Sequence, residues 1–302
     1  MLGNYRVRTD LALESREKFE KDNVEVSGVV IREDYDRERD IRTTVVKIET
    51  EHGARMMEKP MGTYITLEAP GMAVPDEGYH REISEKIAGH IRRLAGLDTE
   101  KSVLVAGLGN LQITPDALGP RTVQNLRITR HIIREYGTAG TGKERAHQVS
   151  SIVPGVMAQT GMETMEILQG IIRETRPDVV IAVDALAARS TKRLNCTIQI
   201  TDAGINPGSG VGNHRSGLTE KSLGVPVIGI GVPTVVDAAT IVHDAMAHLL
   251  ETLEEAEMEE FLSELITPSL SSMFVTPKDV DETIRRLSFT VSEGLNIALE
   301  SC

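Results

Sequence analysis

The sequence predicts an α/β fold: a mostly parallel sheet with helices on both faces, plus an N-terminal strand-rich region. Three observations lead there. From Ser102 onward, short apolar runs recur and stop at Gly or Asp. Segments of helical periodicity separate them. Before residue 70 the apolar runs are β-branched, short, and divided by charged or Gly-bearing turns.

In chain order, residues 1–22 are polar and charged and read as an arm or pro-segment with little apolar material to pack. Residues 23–302 read as one α/β domain whose strand-rich part spans 26–70. Its strands are expected at Val29-Val30-Ile31, Thr43 to Ile48, and Tyr64 to Leu67. Ile83, Ile87, Ile91 and Leu94 repeat at helical spacing. Val103 to Ala106 is a strand closed by Gly107, and a helix is expected over Asp116–Tyr136. Further elements are a helix over Glu163–Glu174, a buried strand Val179–Val183 ending at Asp184, and a strand Thr197–Ile200. A last strand, Val225–Ile230, is closed by Gly231. A long helix starts near Thr234, and the tail from Asp279 to Leu299 is helical.

Composition narrows the function. The chain has 302 residues, 40% apolar and 26% charged, with a formal charge of -12. That charge argues against neutralising nucleic-acid phosphates and against a polybasic membrane anchor. Cys196 and Cys302 form neither a CxxC pair nor a disulfide framework. Met1 to Asp10 has no apolar core of a signal peptide, and no run of about 18 apolar residues exists to span a membrane. A cytoplasmic protein is expected.

Three loops follow the carboxyl ends of predicted strands, where α/β sheets bind ligands. The first holds Gly107-Leu108-Gly109-Asn110 and then Asp116. It is not a dinucleotide loop, because Gln112 stands where the third glycine belongs. Asp116 also has a structural reading, with Thr114 as N-cap, Pro115 in the first turn and the acid favouring the helix dipole. The second places Asp184 directly after five apolar residues. Its structural reading is an ion pair with Arg189. The third, Thr201 to His214, carries Gly204, Gly208, Gly210 and Gly212 and suits either a backbone anion nest or a plain turn.

Other motifs fail on their chemistry. Gly137 to Glu144 approaches a phosphate loop but ends in Glu144, not a hydroxyl, and follows a helix. Ser209 lacks the flanking glycines of a nucleophile elbow. His243 and His248 are spaced off one helix face. Asp237 reads as part of a capping box with Thr234, and Cys196 as core.

Taken together, Gly107–Asn110 with Thr114–Pro120, Pro154–Met157 with Thr160–Thr164, Asp184–Arg189, Pro207–Asn213 and Gly231–Ala238 resemble the germination protease family of spore-forming bacteria. Tyr5 to Glu14 is similar to that family's pro-segment junction. The segment between His248 and Pro268 is short beside the family pattern. The resemblance implies an atypical aspartic endopeptidase, made as a self-processing precursor and assembled as a homotetramer. It would degrade the small acid-soluble proteins that coat DNA in the spore core, with no cofactor and no metal. It places the catalytic aspartates on Asp116 and Asp184 and the processing bond near Asp10-Leu11. Two neighbouring carboxylates would share a proton, one activating water and the other protonating the amide. Asp116, at a helix N-terminus, would more readily stay ionised. Gly208, Ser209 and Gly210 would offer N–H groups to the oxyanion. Two alternatives stand beside this reading: a nickel-sensing endopeptidase like those of hydrogenase maturation, and a non-catalytic protein-binding module.

Overall fold

The computed structural model describes residues 9–15, 26–208, 216–242 and 273–300. Their strands form one sheet. In chain order these are β1 (Val29–Asp36), β2 (Ile41–Ile48), β3 (Gly62–Glu68), β4 (Ser102–Gly107), β5 (Gln148–Ile152), β6 (Val179–Ala188), β7 (Thr197–Thr201), β8 (Val227–Asp237) and β9 (Phe274–Val275). The spatial order is β1-β2-β3-β7-β8-β6-β4-β5, with β9 paired to β8. Strands β5, β4, β6 and β8 are parallel and form the core. Strands β7, β3, β2 and β1 extend it antiparallel. The predicted N-terminal strands thus join the sheet through β3 and β7.

Period-2 alternation divides the core between two faces. On one face, Val103, Val105, Ile181, Val183, Ile198, Ile200, Ile228 and Ile230 pack with the helices Glu77–Ala95 and Val280–Glu300. On the other, Leu104, Ala106, Val180 and Ala182 pack with Leu168 and Ile172 of the Thr164–Thr175 helix. Coverage of both faces explains why β4 and β6 read as continuous apolar runs. Asp76 caps the Glu77–Ala95 helix by accepting the Tyr79 N–H at 3.0 Å, and Gly96 ends it at φ 59°. Cys196 is core, as expected. Its thiol donates to the Lys192 carbonyl at 3.0 Å, and burial raises its pKa.

Several expected boundaries move. The helix predicted over Asp116–Tyr136 is two helices, Leu118–Gln124 and Arg130–Tyr136. Tertiary hydrogen bonds hold the break open. Arg127 N–H donates to Asn296 Oδ1 at 2.9 Å, and Thr129 N–H donates to the Val149 carbonyl at 3.1 Å. Strand β8 runs on to Asp237, so Thr234 lies in a strand and the following helix starts at Ala238. Asp237 still caps that helix: its Oδ1 accepts the Ala239 N–H at 2.8 Å. Among the described residues, no helix is long and apolar enough to cross a membrane. Residues 1–8 and 16–25 of the arm, Ser209, Gly210, Gly212 and His214 of the glycine loop, and the stretch from His243 through Pro268 lie outside the described residues.

The two long helices meet at Gly294, where a β-carbon would stand 2.8 Å from Ile87 Cγ2 and 3.0 Å from the Ser84 carbonyl. Gly294→Val should therefore destabilise the fold by about 1–3 kcal/mol, as overpacking does. An unchanged urea midpoint would show that the helices separate freely.

The Glu77–Ala95 helix carries two histidines whose pKa values are lowered. Burial lowers the pKa of His80, whose Nδ1 lies 2.8 Å from Thr290 Oγ1. Burial, with Arg93 and Lys86 nearby, pushes His90 down to about 4. Both folded-state values lie below the unfolded value of about 6.5. Their stability contribution is complete above that pH and is lost as pH falls toward 4. The thermal midpoint should drop between pH 7 and pH 5, and His90→Asn should narrow that drop. An equal drop in the variant would assign the effect to other groups.

Candidate active site

The cleft begins where β6 loses a neighbour. Strand β4 pairs with β6 up to Gly107 and Val183. It then turns away, with Leu108 N–H donating to the Val183 carbonyl at 2.8 Å. Asp184 is the next residue on β6. The strand does not end there, as the sequence suggested. It continues along β8 to Ala188, so Asp184 lies mid-strand at the point where pairing to β4 stops. The residue is 4% exposed, and its Oδ1 accepts the Ala185 N–H at 3.0 Å.

Asp116 comes from the loop after β4. Gly109 adopts φ +111°, and a β-carbon there would stand 2.1 Å from the Asp116 carbonyl oxygen. This close approach lets Asp116 Oδ2 accept the Asn110 N–H at 2.7 Å. Thr114–Asp116 form one 3₁₀ turn, and the α-helix starts only at Leu118. Thr114 is not the cap that spacing suggested. Its hydroxyl donates to Asp281 Oδ1 at 2.8 Å. Asp116 therefore precedes the helix instead of occupying its first turn. The short helix is drawn against the sheet at Gly119, where a β-carbon would lie 2.4 Å from the carbonyl oxygens of both Leu108 and Val183. Thr234 on β8 fastens the turn by donating to the Pro115 carbonyl at 2.7 Å.

Asp116 and Asp184 line one cavity of about 340 Å³. Thr164, Thr234 and Gly208 also line it, so the first residue of the expected glycine-loop trio is at the wall. Asp10 lines the same cavity. The structure thus brings the candidate processing residue to the two candidate catalytic aspartates.

The arm around Asp10 departs from the expected unpacked polar segment. Leu11 and Ala12 are wholly buried. Leu11 packs with Leu186, Ala188 and Val236, and Ala12 with Val46, Ile48, Met57 and Tyr64. Asp10 exchanges two hydrogen bonds with Ala187. Its N–H donates to the Ala187 carbonyl at 3.1 Å, and its Oδ2 accepts the Ala187 N–H at 2.9 Å. Opposite this point β8 carries one extra residue, Thr234, between Pro233, which pairs with Leu186, and Val235, which pairs with Ala187. Buried Glu14 accepts the N–H groups of Arg189 (2.8 Å) and Ser190 (3.1 Å), the Arg193 guanidinium (3.3 Å) and the Thr9 hydroxyl. Two residues that the sequence did not single out as functional add further contacts. Lys59 Nζ donates to the Asp10 carbonyl at 2.9 Å and to the Thr9 carbonyl at 3.3 Å. Gln199 donates to the Asp10 carbonyl at 3.2 Å and accepts the Ala12 N–H at 2.7 Å. Gln199 had one signal, an amide in the otherwise β-branched strand Thr197–Thr201.

The fold is thus an α/β sheet with two carboxylates, Asp116 and Asp184, at a cleft beside its parallel strands. A family model described as germination protease matches residues 7–253. The germination protease of Caldanaerobacter subterraneus subsp. tengcongensis is 45% identical over 97% of this chain and 94% of its own. That of Clostridium perfringens is 42% identical over 98% of this chain and 96% of its own. That of Bacillus pumilus is 39% identical over 99% and 94%. Among solved structures, the [NiFe] hydrogenase maturation protease HycI of Thermococcus kodakarensis matches 67% of this chain and 98% of its own, with TM-score 0.32 and 16% identity. The chain belongs to the germination protease family, and with it to the peptidases.

Because Gly119 sets how closely the Asp116 turn approaches Asp184, Gly119→Ala should cost about 1–3 kcal/mol of stability. It should also lower peptidase turnover at temperatures where the variant remains folded. Full turnover in a folded variant would show that Asp116 does not need this seat.

Proposed function

We propose that this chain is an endopeptidase of the spore core that degrades the small acid-soluble proteins coating spore DNA. It is made as a precursor that cleaves itself between Asp10 and Leu11, and it works as a homotetramer. Asp116 and Asp184 activate water without a metal or cofactor. One observation carries this reading: both aspartates line a single cavity into which Asp10 is already docked. One aspartate in its ionised form takes a proton from water, and the other in its protonated form gives one to the amide nitrogen. Either residue can take either role. Asp184, 4% exposed, supplies a largely dry wall, where charge acts more strongly than in water. Asp116, held by the Asn110 N–H, faces the same space from the loop side.

The test uses wild type, Asp116→Asn and Asp184→Asn, each incubated with a small acid-soluble spore protein with and without a chelator. Wild type should cut regardless of chelator. Each folded variant should lose about 100- to 10 000-fold in turnover, the range for a lost general acid or base. Cutting that survives both substitutions would overturn the site, and cutting that needs nickel would favour a maturation-type peptidase.

A further inference from the structure

We propose that Lys59 and Gln199 are the electrophilic half of this site. They hold the carbonyl oxygen of the residue before the scissile bond and carry its negative charge as water adds. The proposal rests on the reading above, in which Asp10-Leu11 is the processed bond.

Three observations support it. The first is the target. Lys59 Nζ and Gln199 Nε2 both donate to the Asp10 main-chain oxygen, at 2.9 and 3.2 Å. That oxygen belongs to the carbonyl that water must attack. Two donors on one carbonyl, one of them cationic, match what a developing oxyanion needs.

The second is how Gln199 grips the segment. Its Nε2 holds the oxygen on the acyl side, and its Oε1 accepts the Ala12 N–H at 2.7 Å on the other side of Leu11. One amide therefore brackets the Asp10–Leu11 bond. Gln199 is 7% exposed, and its two bonds to the segment fix which way the amide faces.

The third is the sheet register. Gln199 pairs with Gly231, and Gly231 pairs with Asp184. Paired residues on adjacent strands share a face, so Gln199 and Asp184 project from the same face two strands apart, roughly 10 Å. Gly231 between them has no side chain, and a β-carbon there would strike Leu186 at 2.4 Å. The row thus places a donor on one side of Gly231 and a carboxylate on the other, with the Leu186 side chain over Gly231. Asp10 lines both the cavity of Asp116 and Asp184 and the recess formed with Lys59, Tyr64 and Gln199.

The step balances. The oxygen of water bonds to the Asp10 carbonyl carbon, and one water proton passes to the ionised aspartate. The π pair of the carbonyl moves onto its oxygen, between Lys59 Nζ and Gln199 Nε2. On collapse the carbonyl re-forms and the bond to the Leu11 nitrogen breaks. That nitrogen takes the proton of the other aspartate.

The experiment follows self-cleavage of the full chain at mildly acidic pH by mass spectrometry. Hydrogen exchange at the Leu11 and Ala12 amides runs alongside and reports whether the segment stays docked. Gln199→Glu keeps an acceptor for the Ala12 N–H but places an acceptor against the Asp10 oxygen. Lys59→Met keeps the aliphatic stem without the charge. Each should slow release of the Leu11 N-terminus by about 100-fold, the scale for one lost oxyanion donor, with amide protection unchanged. Lys59→Arg, which keeps a cation, should recover most of the rate. Wild-type rates in either docked variant, Gln199→Glu or Lys59→Met, would overturn the proposal for that residue. Slowing that accompanies loss of amide protection would overturn it too, leaving those residues with a positioning role. Asp116→Asn and Asp184→Asn test the aspartates apart from the clamp. If they cleave normally, or if wild type never releases Leu11, the two-aspartate reading falls. If they are inert while docked Lys59 and Gln199 variants cleave normally, only the clamp falls.

Discussion

At Gly119 a β-carbon would stand 2.4 Å from two carbonyl oxygens, those of Leu108 and Val183. No side chain fits there without moving backbone. This contact holds the Leu118–Gln124 helix against the ends of β4 and β6 and fixes how far the preceding turn can withdraw from the sheet. Gly107 repeats the device one layer down, with its absent β-carbon 2.3 Å from the Gly119 carbonyl oxygen. Gly109 repeats it above, against the Asp116 carbonyl oxygen. Three glycines in one loop-and-helix unit therefore press Asp116 toward β6. Thr234 closes the arrangement from the β8 side.

The sheet makes the complementary contribution. Its two faces are filled differently. One is sealed by the long helices Glu77–Ala95 and Val280–Glu300, whose apolar sides bury Ile83, Ile87, Ile91, Leu287, Val291 and Leu295. The other carries Leu104, Ala106, Val180 and Ala182 under a helix, and then, farther along β6, changes character to Asp184. The change falls at the residue where β4 leaves. A carboxylate can occupy a strand interior here because one flank has no neighbouring strand and opens on a cavity. Beyond Leu186 the N–H and carbonyl of Ala187 are both taken by Asp10, while β8 opposite carries one extra residue, Thr234.

Much of this was legible in the sequence. The parallel strands showed as apolar runs because both their faces are covered, and Asp116 and Asp184 showed as acids after such runs. What was not legible came from partners distant in the chain. The break in the helix after Gln124 depends on Asn296, far along the sequence, accepting the Arg127 N–H. The extra length of β6 and β8 depends on each pairing with the other past the point where local apolar character fades at Asp184 and Pro233. Local polarity misled at the arm. Arg, Asp, Glu and Lys surround Leu11-Ala12-Leu13, and only the tertiary structure shows that this three-residue core is buried while its charged flank Glu14 is paired.

Glu14 gives that docking an asymmetry. A buried carboxylate is tolerable only when hydrogen-bonded and paired. Here two backbone N–H groups, Arg193 and the Thr9 hydroxyl provide for it. Thr9 also accepts the Leu11 N–H at 3.0 Å, so one hydroxyl links the Leu11 nitrogen to the Glu14 carboxylate. On the proposed cut between Asp10 and Leu11, Thr9 would belong to the released fragment. The Leu11 nitrogen would become an ammonium, and Arg189, Ser190 and Arg193 would keep their bonds to Glu14. Residues on the Leu11 side would stay anchored, while Asp10 would keep its contacts to Ala187, Lys59 and Gln199. Those contacts can be exchanged for the same groups of another polypeptide, because they are made to main-chain atoms and one carboxylate. The physical cost of clearing the cavity therefore falls on the fragment that must leave and not on the segment that holds the sheet's second face together.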